Sequence, residues 1–251
     1  MDPDPFSLLA GQRLRPTGRA LMRQSWCDLA FLHRKVDPQD IQALLPNGLS
    51  VDTFDGSAYI GLVAFSMRDV RLEGFPPLPA HRAFLETNIR TYVRDEGGRP
   101  GVWFFSLDCD DRLSVRVARR WFGLNYLDAY LTLGGAEGQL IYSGGRQGAP
   151  GADYWIRCRL SGTPSPAPLN SLEFWLVERY TLFALRRGRL ISGQVCHDPY
   201  RIQPLAVEES REGLILATTG LVTGPDWDHA VFSPGVDVEV FGARRVRVGG
   251  Q

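Results

Sequence analysis

Residues 82–109, RAFLETNIRTYVRDEGGRPGVWFFSLDC, constrain the fold most. Along an extended chain side chains alternate, so Phe84, Glu86, Asn88, Arg90 and Tyr92 share one face, and Leu85, Thr87, Ile89, Thr91 and Val93 the other. The second set is apolar or β-branched and reads as a core face. DEGGRPG turns the chain and VWFFSLDC returns it, which predicts an antiparallel hairpin. A chain whose clearest element is a long paired strand must bury sheet faces.

The rest of the sequence agrees. WCDLAFLHRKV (26–36) reads as a strand, and SAYIGLVAFSMRDV (57–70) as a central one, because it is apolar on both faces from Leu62 to Phe65. DPQDIQALLPNG (37–48) predicts a short helix, with Asp37 as N-cap, Pro38 in its first turn, and Pro46 and Gly48 ending it. DDRLSVRVARRWFG (110–123) predicts a second helix, and PLNSLEFWLVERY (168–180) a capped helix running into a strand. Further strands are expected at 127–133, 138–143, 152–160, 214–218 and 236–247, with a hairpin around Gly188 at 181–197. The strands outnumber the short helices and no βαβ repeat occurs, so the class is α+β and β-rich. The chain divides into an N-terminal arm over 1–23 and a single domain over 24–251.

Composition narrows the function. Net charge is zero at neutral pH, which argues against a nucleic-acid binder and gives no support to docking on anionic membranes. Among 28 basic side chains Lys35 is the only lysine, so side-chain amine chemistry would have to use it. The four cysteines, Cys27, Cys109, Cys158 and Cys196, form no C-x-x-C pair and read as thiols rather than as a zinc site or disulfide framework. No metal and no cofactor is expected. The opening MDPDPFSLLAGQRLRP lacks a basic stretch followed by a long apolar one, and no apolar run is long enough to span a membrane, so the expected location is the cytoplasm. G-x-S-x-G, G-x-x-x-x-G-K-[ST] and H-E-x-x-H are all missing, and GGAEG and SGGRQG read as hairpin turns.

Several ordered segments carry a resemblance: LHRKVDPQDIQALLPNGLSVDTFDGSAYIGLVAF, FLETNIRTYV, GVWFFSLD, ARRWFGLNY and LVERYTLF. Together, over roughly residues 24–240, they resemble the YqjF-like bacterial proteins of unknown function, which are grouped with the acetoacetate decarboxylase-like superfamily. The resemblance implies a cone-shaped antiparallel β-barrel with an outer sheet and a few short helices, enclosing a small-molecule cavity. It also places residues. The superfamily's decarboxylase forms a Schiff base through a lysine just after a helix-ending turn, and ARRWFGLNYL looks like that segment. The family's arginine matches Arg119, its glutamate Glu86, its catalytic lysine Tyr126, and the neighbouring lysine Leu127. A second acidic residue falls near Ile60 and Gly61 and is missing. A phenol forms no imine, so the resemblance does not carry Schiff-base decarboxylation. A phenol does donate a hydrogen bond, and acts as acid or base if its pKa is lowered.

Three readings follow. In the first, an enzyme acts on a small oxo-acid or related carbonyl compound by acid/base chemistry, as a lyase-like enzyme would. Glu86 and Tyr126 are its catalytic pair, and Asn88, Arg90, Arg119 and His197 bind the substrate; His197 sits beside an aspartate in QVCHDPY. In the second, the same barrel binds a small ligand without turnover. In the third, Trp103, Phe105 or Trp121 fills the interior and the barrel is a scaffold. The expected partner is a small molecule rather than nucleic acid or a membrane, and a homo-oligomer is left open.

Overall fold

The computed structural model describes residues 5–74, 83–112, 124–136 and 138–249. Its strands are β1 (Met22–Val36), β2 (Leu49–Val51), β3 (Ala58–Leu72), β4 (Phe84–Asp95), β5 (Pro100–Cys109), β6 (Tyr126–Gly134), β7 (Gln139–Arg146) and β8 (Asp153–Leu160). They continue with β9 (Ser165–Pro166), β10 (Thr181–Arg186), β11 (Arg189–Cys196), β12 (Arg201–Glu212), β13 (His229–Val240) and β14 (Arg244–Arg245). The helices among the described residues are short: α1 (Pro5–Gly11), α2 (Pro38–Leu44), α3 (Leu172–Val177) and α4 (Leu214–Thr219). The helix expected over 110–123 falls almost wholly on residues 113–123, outside the described residues.

Local chemistry sets the ends of these elements. The Asp37 carboxylate accepts from the Gln39 amide at 2.7 Å to start α2. The Ser171 hydroxyl accepts from the Phe174 amide at 3.1 Å to start α3. Between β10 and β11, Arg186 pairs with Arg189, leaving Arg187 and Gly188 as a two-residue turn with φ of 52° and 73°. Two positive φ values give the turn type whose twist matches a tight hairpin.

Two sequence expectations fail here. Residues 214–218 form α4, not a strand. The run LILAT is too short for periodicity to separate helix from strand, and the helix buries only Leu214 and Ile215 and ends on left-handed Gly220 (φ 75°). The strand expected at 236–247 divides into β13, which begins at His229, and the two-residue β14. β12, which holds Pro204, was not expected at all. Pro204 is tolerated near the point where β12 has only a two-residue pairing with β13.

The hydrogen-bonded neighbours run β5-β6-β7-β8-β12-β13-β1-β3-β4, and β4 pairs back to β5. A second circuit runs β5-β10-β11-β13-β1-β3-β4 and also returns to β5. The shared strands therefore have a closed layer over each face. On one side Ala30, Leu32, Ile60, Leu62 and Ile89 pack against Tyr142, Tyr154, Ile156, Cys158 and Leu205, a filled apolar core. On the other, Phe31, Tyr59, Val63, Phe65 and Tyr92 meet Trp175 and Val177 of α3, Tyr200 and Val231. Leu9 of α1 is buried in that second cluster, and Phe6 lies against Phe54 and Phe174. The second side holds the polar face of β4.

β1 is bulged between Cys27 and Ala30, where Asp28 has φ 55°. Gly235 of β13 lies opposite Cys27 at φ 141°, and a Cβ there would overlap the Trp26 carbonyl oxygen. Gly235→Ala is thus expected to destabilise the protein by about 2–4 kcal/mol through backbone strain and overpacking. Urea unfolding checks this; a change below about 0.5 kcal/mol would contradict the tight bulge.

Candidate active site inside the second layer

Strand alternation sets the site's floor. Phe65 pairs with Glu86, Val63 with Asn88 and Gly61 with Arg90, so all six lie in matching rows. At the far end of β5, Leu107 pairs in parallel with Tyr126, the first residue of β6. That short parallel pairing brings Tyr126 over β4, and its hydroxyl donates to Glu86 Oε2 at 2.8 Å. Glu86 and Tyr126, expected from sequence to act together, are in direct contact. Asn88 Nδ2 lies 3.5 Å from Glu86 Oε1.

Burial shifts both groups. Taking Glu86 out of water pushes its carboxyl up from 4.5 to about 7, against the pull of the Tyr126 and Asn88 hydrogen bonds and the positive charge of Arg90. Burial, with the adjoining Glu86 carboxylate, holds the Tyr126 phenol well above its ordinary value. Tyr126 therefore stays protonated at neutral pH and serves as a donor, the opposite of what a tyrosine base needs. Glu86 is the group poised to exchange protons near neutrality.

Arg90 lies on the same face, with its guanidinium 5.3 Å from the Phe31 ring centre. It is half-buried, and its Nε is buried with no hydrogen-bond partner among the described residues. It makes no ion pair with Glu86 or with any other described carboxylate. Contacts then run round the interior in sequence. Tyr200 stands edge-on to Phe31 with ring centres 5.3 Å apart, and His197 lies 4.6 Å from Tyr200. Trp26 is 6.0 Å from His197 and 5.9 Å from Phe65, the ladder partner of Glu86. The circuit closes on β4, so Glu86, Arg90 and His197 border one packed aromatic cluster.

Buried polar atoms on Asn88 (Oδ1), Arg90 (Nε), His197 (Nε2), Trp26 (Nε1) and Ser233 (Oγ) lack partners among the described residues. Such atoms cost about 1–3 kcal/mol each when left unpaired, so each calls for a polar partner, whether water or ligand. The tautomer of His197 follows from its neighbour. Its Nδ1 lies 2.8 Å from the Asp198 carbonyl, which only accepts, so Nδ1 carries the proton and Nε2 presents a bare lone pair. Burial lowers the His197 pKa to about 4, which keeps the ring neutral.

Sequence reasoning set His33 aside as a structural histidine. His33 is fully buried, with Nε2 2.6 Å from the Tyr92 hydroxyl and Nδ1 3.0 Å from His229 Nδ1. A Cβ at Gly61 would lie 2.9 Å from the His33 ring and 3.5 Å from Arg90 Cγ, so the imidazole occupies the space a side chain would take there. Alternation along β1 put Phe31 and His33 on one face, but only the pairing with β13 shows which way that face points. Arg119 lies outside the described residues, as does Trp121. Trp103 packs with Leu49, Val93, Phe183 and Leu190, and Phe105 belongs to the other core, so neither lies in the cluster around Glu86 and Arg90. Lys35 is exposed at the end of β1 and is not available to the interior as an imine-forming amine. Among the described residues no three His, Cys, Asp or Glu side chains converge as a metal set would.

A sequence model of the DUF2071 family, described as "Uncharacterized conserved protein", matches residues 23–237. The chain belongs to that family. A DUF2071-type chain is also similar to the "Uncharacterized protein YqjF" of Bacillus subtilis (strain 168), with 37% identity over 78% of this chain and 80% of the relative. Among solved structures, the enduracididine biosynthesis enzyme MppR complexed with pyruvate superposes with a TM-score of 0.65 at 14% identity, covering 92% of each chain. Acetoacetate decarboxylase from Legionella pneumophila superposes with a TM-score of 0.65 at 16% identity, covering 93% of this chain and 90% of that one. An acetoacetate decarboxylase-like enzyme from Sphingomonas wittichii RW1 gives 0.64 at 17% identity, over 94% and 97%. At these identities the likeness establishes the fold of this DUF2071 member, an acetoacetate decarboxylase-like, β-rich architecture, and its chemistry rests on the side chains above. No described helix is long and apolar enough to cross a membrane.

Proposed function

We propose that the protein binds a small oxo-acid beside Glu86 and Arg90 and moves a proton next to its carbonyl without forming a Schiff base. The observation that carries this is that a carboxyl poised near pH 7, Glu86, shares a strand face with a half-buried guanidinium, Arg90, that has no carboxylate partner among the described residues. The guanidinium fork matches a ligand carboxylate, and its charge stabilises the enolate that forms when Glu86 takes the α-proton. Tyr126 holds the carboxylate in place by its hydrogen bond. Asn88 Oδ1 and His197 Nε2 accept from hydroxyl or amine groups on the ligand. The pyruvate named with the MppR structure is a molecule of this class and a natural first compound to try.

The reading includes binding without turnover as its weaker form, and one substitution separates anchoring from chemistry. Arg90→Gln is expected to weaken pyruvate or a similar acid by at least about tenfold in calorimetry, while a neutral ketone of the same size is unaffected. It is also expected to push Glu86 above its value of about 7, because Arg90 lowers it. Equal affinity of the two proteins for the acid would remove Arg90 as anchor and leave the oxo-acid reading without its main support.

A further inference from the structure

We infer that the pocket beside the β10–β11 turn binds a phosphorylated small molecule with at least two phosphate groups, such as a nucleoside diphosphate. The pocket has a volume of about 480 Å³ and is lined by Arg186, Arg187, Arg189 and Arg245, with Ile191 and Ala243 completing its walls. That volume lies within the range of small-molecule sites, roughly 300–1,000 Å³, and exceeds what a single ion requires.

The backbone forces these charges together. The two-residue turn at Arg187 and Gly188 leaves Arg186 and Arg189 directly across the hairpin. β14 pairs beside β11 with Arg245 opposite Ile191, which adds the fourth guanidinium from a distant part of the chain. All four arginines are exposed, and among the described residues none has a carboxylate partner. Elsewhere arginines sit against acids: Arg13 on Glu178, Arg34 on Glu212, Arg99 on Asp95, Arg146 on Asp108 and Arg179 on Asp52. In a chain of zero net charge, this concentration of unpaired positive charge is local, and its self-repulsion favours a multiply charged anion. Guanidinium groups bind phosphate oxygens through paired N–H donors and stay charged at any physiological pH. The Ile191 and Ala243 walls offer an apolar surface to the organic part of the ligand. The site is built from β10, β11 and β14, whereas Glu86, Arg90 and Tyr126 come from β4 and β6, so the two sites stand or fall separately.

The test is calorimetric titration at low ionic strength with ADP, pyrophosphate and adenosine, on the wild type and on an Arg187→Ser/Arg245→Ser double variant. ADP is expected to bind with Kd below about 1 mM, to weaken as salt is added, and to lose at least about tenfold in the variant. Both substitutions are at exposed positions, so thermal unfolding should be unchanged. Pyrophosphate binding as tightly as ADP also supports the inference and assigns recognition to the phosphates. Adenosine binding as well as ADP, undiminished binding in the variant, or no ADP binding at about 1 mM would each overturn it. So would binding to RNA or to anionic vesicles by a protein that ignores ADP.

Discussion

Glu86→Gln is expected to make the protein more stable above about pH 7 while removing proton transfer. In the unfolded chain Glu86 has its ordinary value of 4.5, and in the folded chain burial raises it to about 7. Below 4.5 the carboxyl is protonated in both states and costs nothing. As pH rises from 4.5 to 7 the unfolded state loses its proton first, so folding loses stability over this window and the loss levels off above it. A separation of this size corresponds to about 3 kcal/mol. Glutamine is uncharged throughout and keeps an oxygen to accept from Tyr126, so the variant should show none of that loss. Urea unfolding at a series of pH values reads the difference: near zero at acid pH, growing through neutrality, favouring the variant. Parallel pH profiles for the two proteins would mean that Glu86 is not held in a costly state.

Asp52→Ala should have the largest effect on folding, a loss of about 3–5 kcal/mol. Asp52 is buried, with Oδ2 2.8 Å from Arg179 Nη1 and Oδ1 2.8 Å from Arg94 Nε. Arg179 is fully buried, donates from Nε to the Trp175 carbonyl at 2.7 Å and lies over the Trp175 and Tyr92 rings. Removing Asp52 strands that charge against the Trp175 and Tyr92 rings. Replacing Arg179 by Met in the same protein should recover part of the loss, because the unpaired charge is then gone. By contrast Arg157→Ala, which breaks partly exposed pairs with Glu208 and Glu209, should change stability by less than about 1 kcal/mol. Equal effects at the two positions would show that the Asp52–Arg179 pair is more hydrated than its burial indicates.

How much of this was legible in the sequence depends on how far apart the partners lie. Glu86, Asn88, Arg90 and Tyr92 fell on one face by alternation alone, and β3, α2 and α3 followed from apolar runs and caps. Sequence resemblance brought Tyr126, 40 positions away, to Glu86. The polar face of β4, which by pattern alone would turn to solvent, is instead covered by a second layer. That layer comes from α3, Tyr200 and β13, and the contact of His33 with His229 spans 196 positions. No local pattern encodes such pairings. α4 was misread because its apolar run is too short to show a period, and β12, which holds an interior proline, was not read at all. The direction of the Tyr126 shift could not be read either, because it depends on burial.

The measurement that tests the central claim most directly is exchange of the α-protons of pyruvate and related small oxo-acids in D2O. Proton NMR would follow it across pH for wild type and Glu86→Gln. If Glu86 is the working base, wild type exchanges the protons faster than buffer, with a rate that rises through a group titrating near 7. The variant then loses about two orders of magnitude or more. Exchange no faster than buffer for every acid tried, or an undiminished rate in Glu86→Gln, would contradict the proposal that this carboxyl moves the proton.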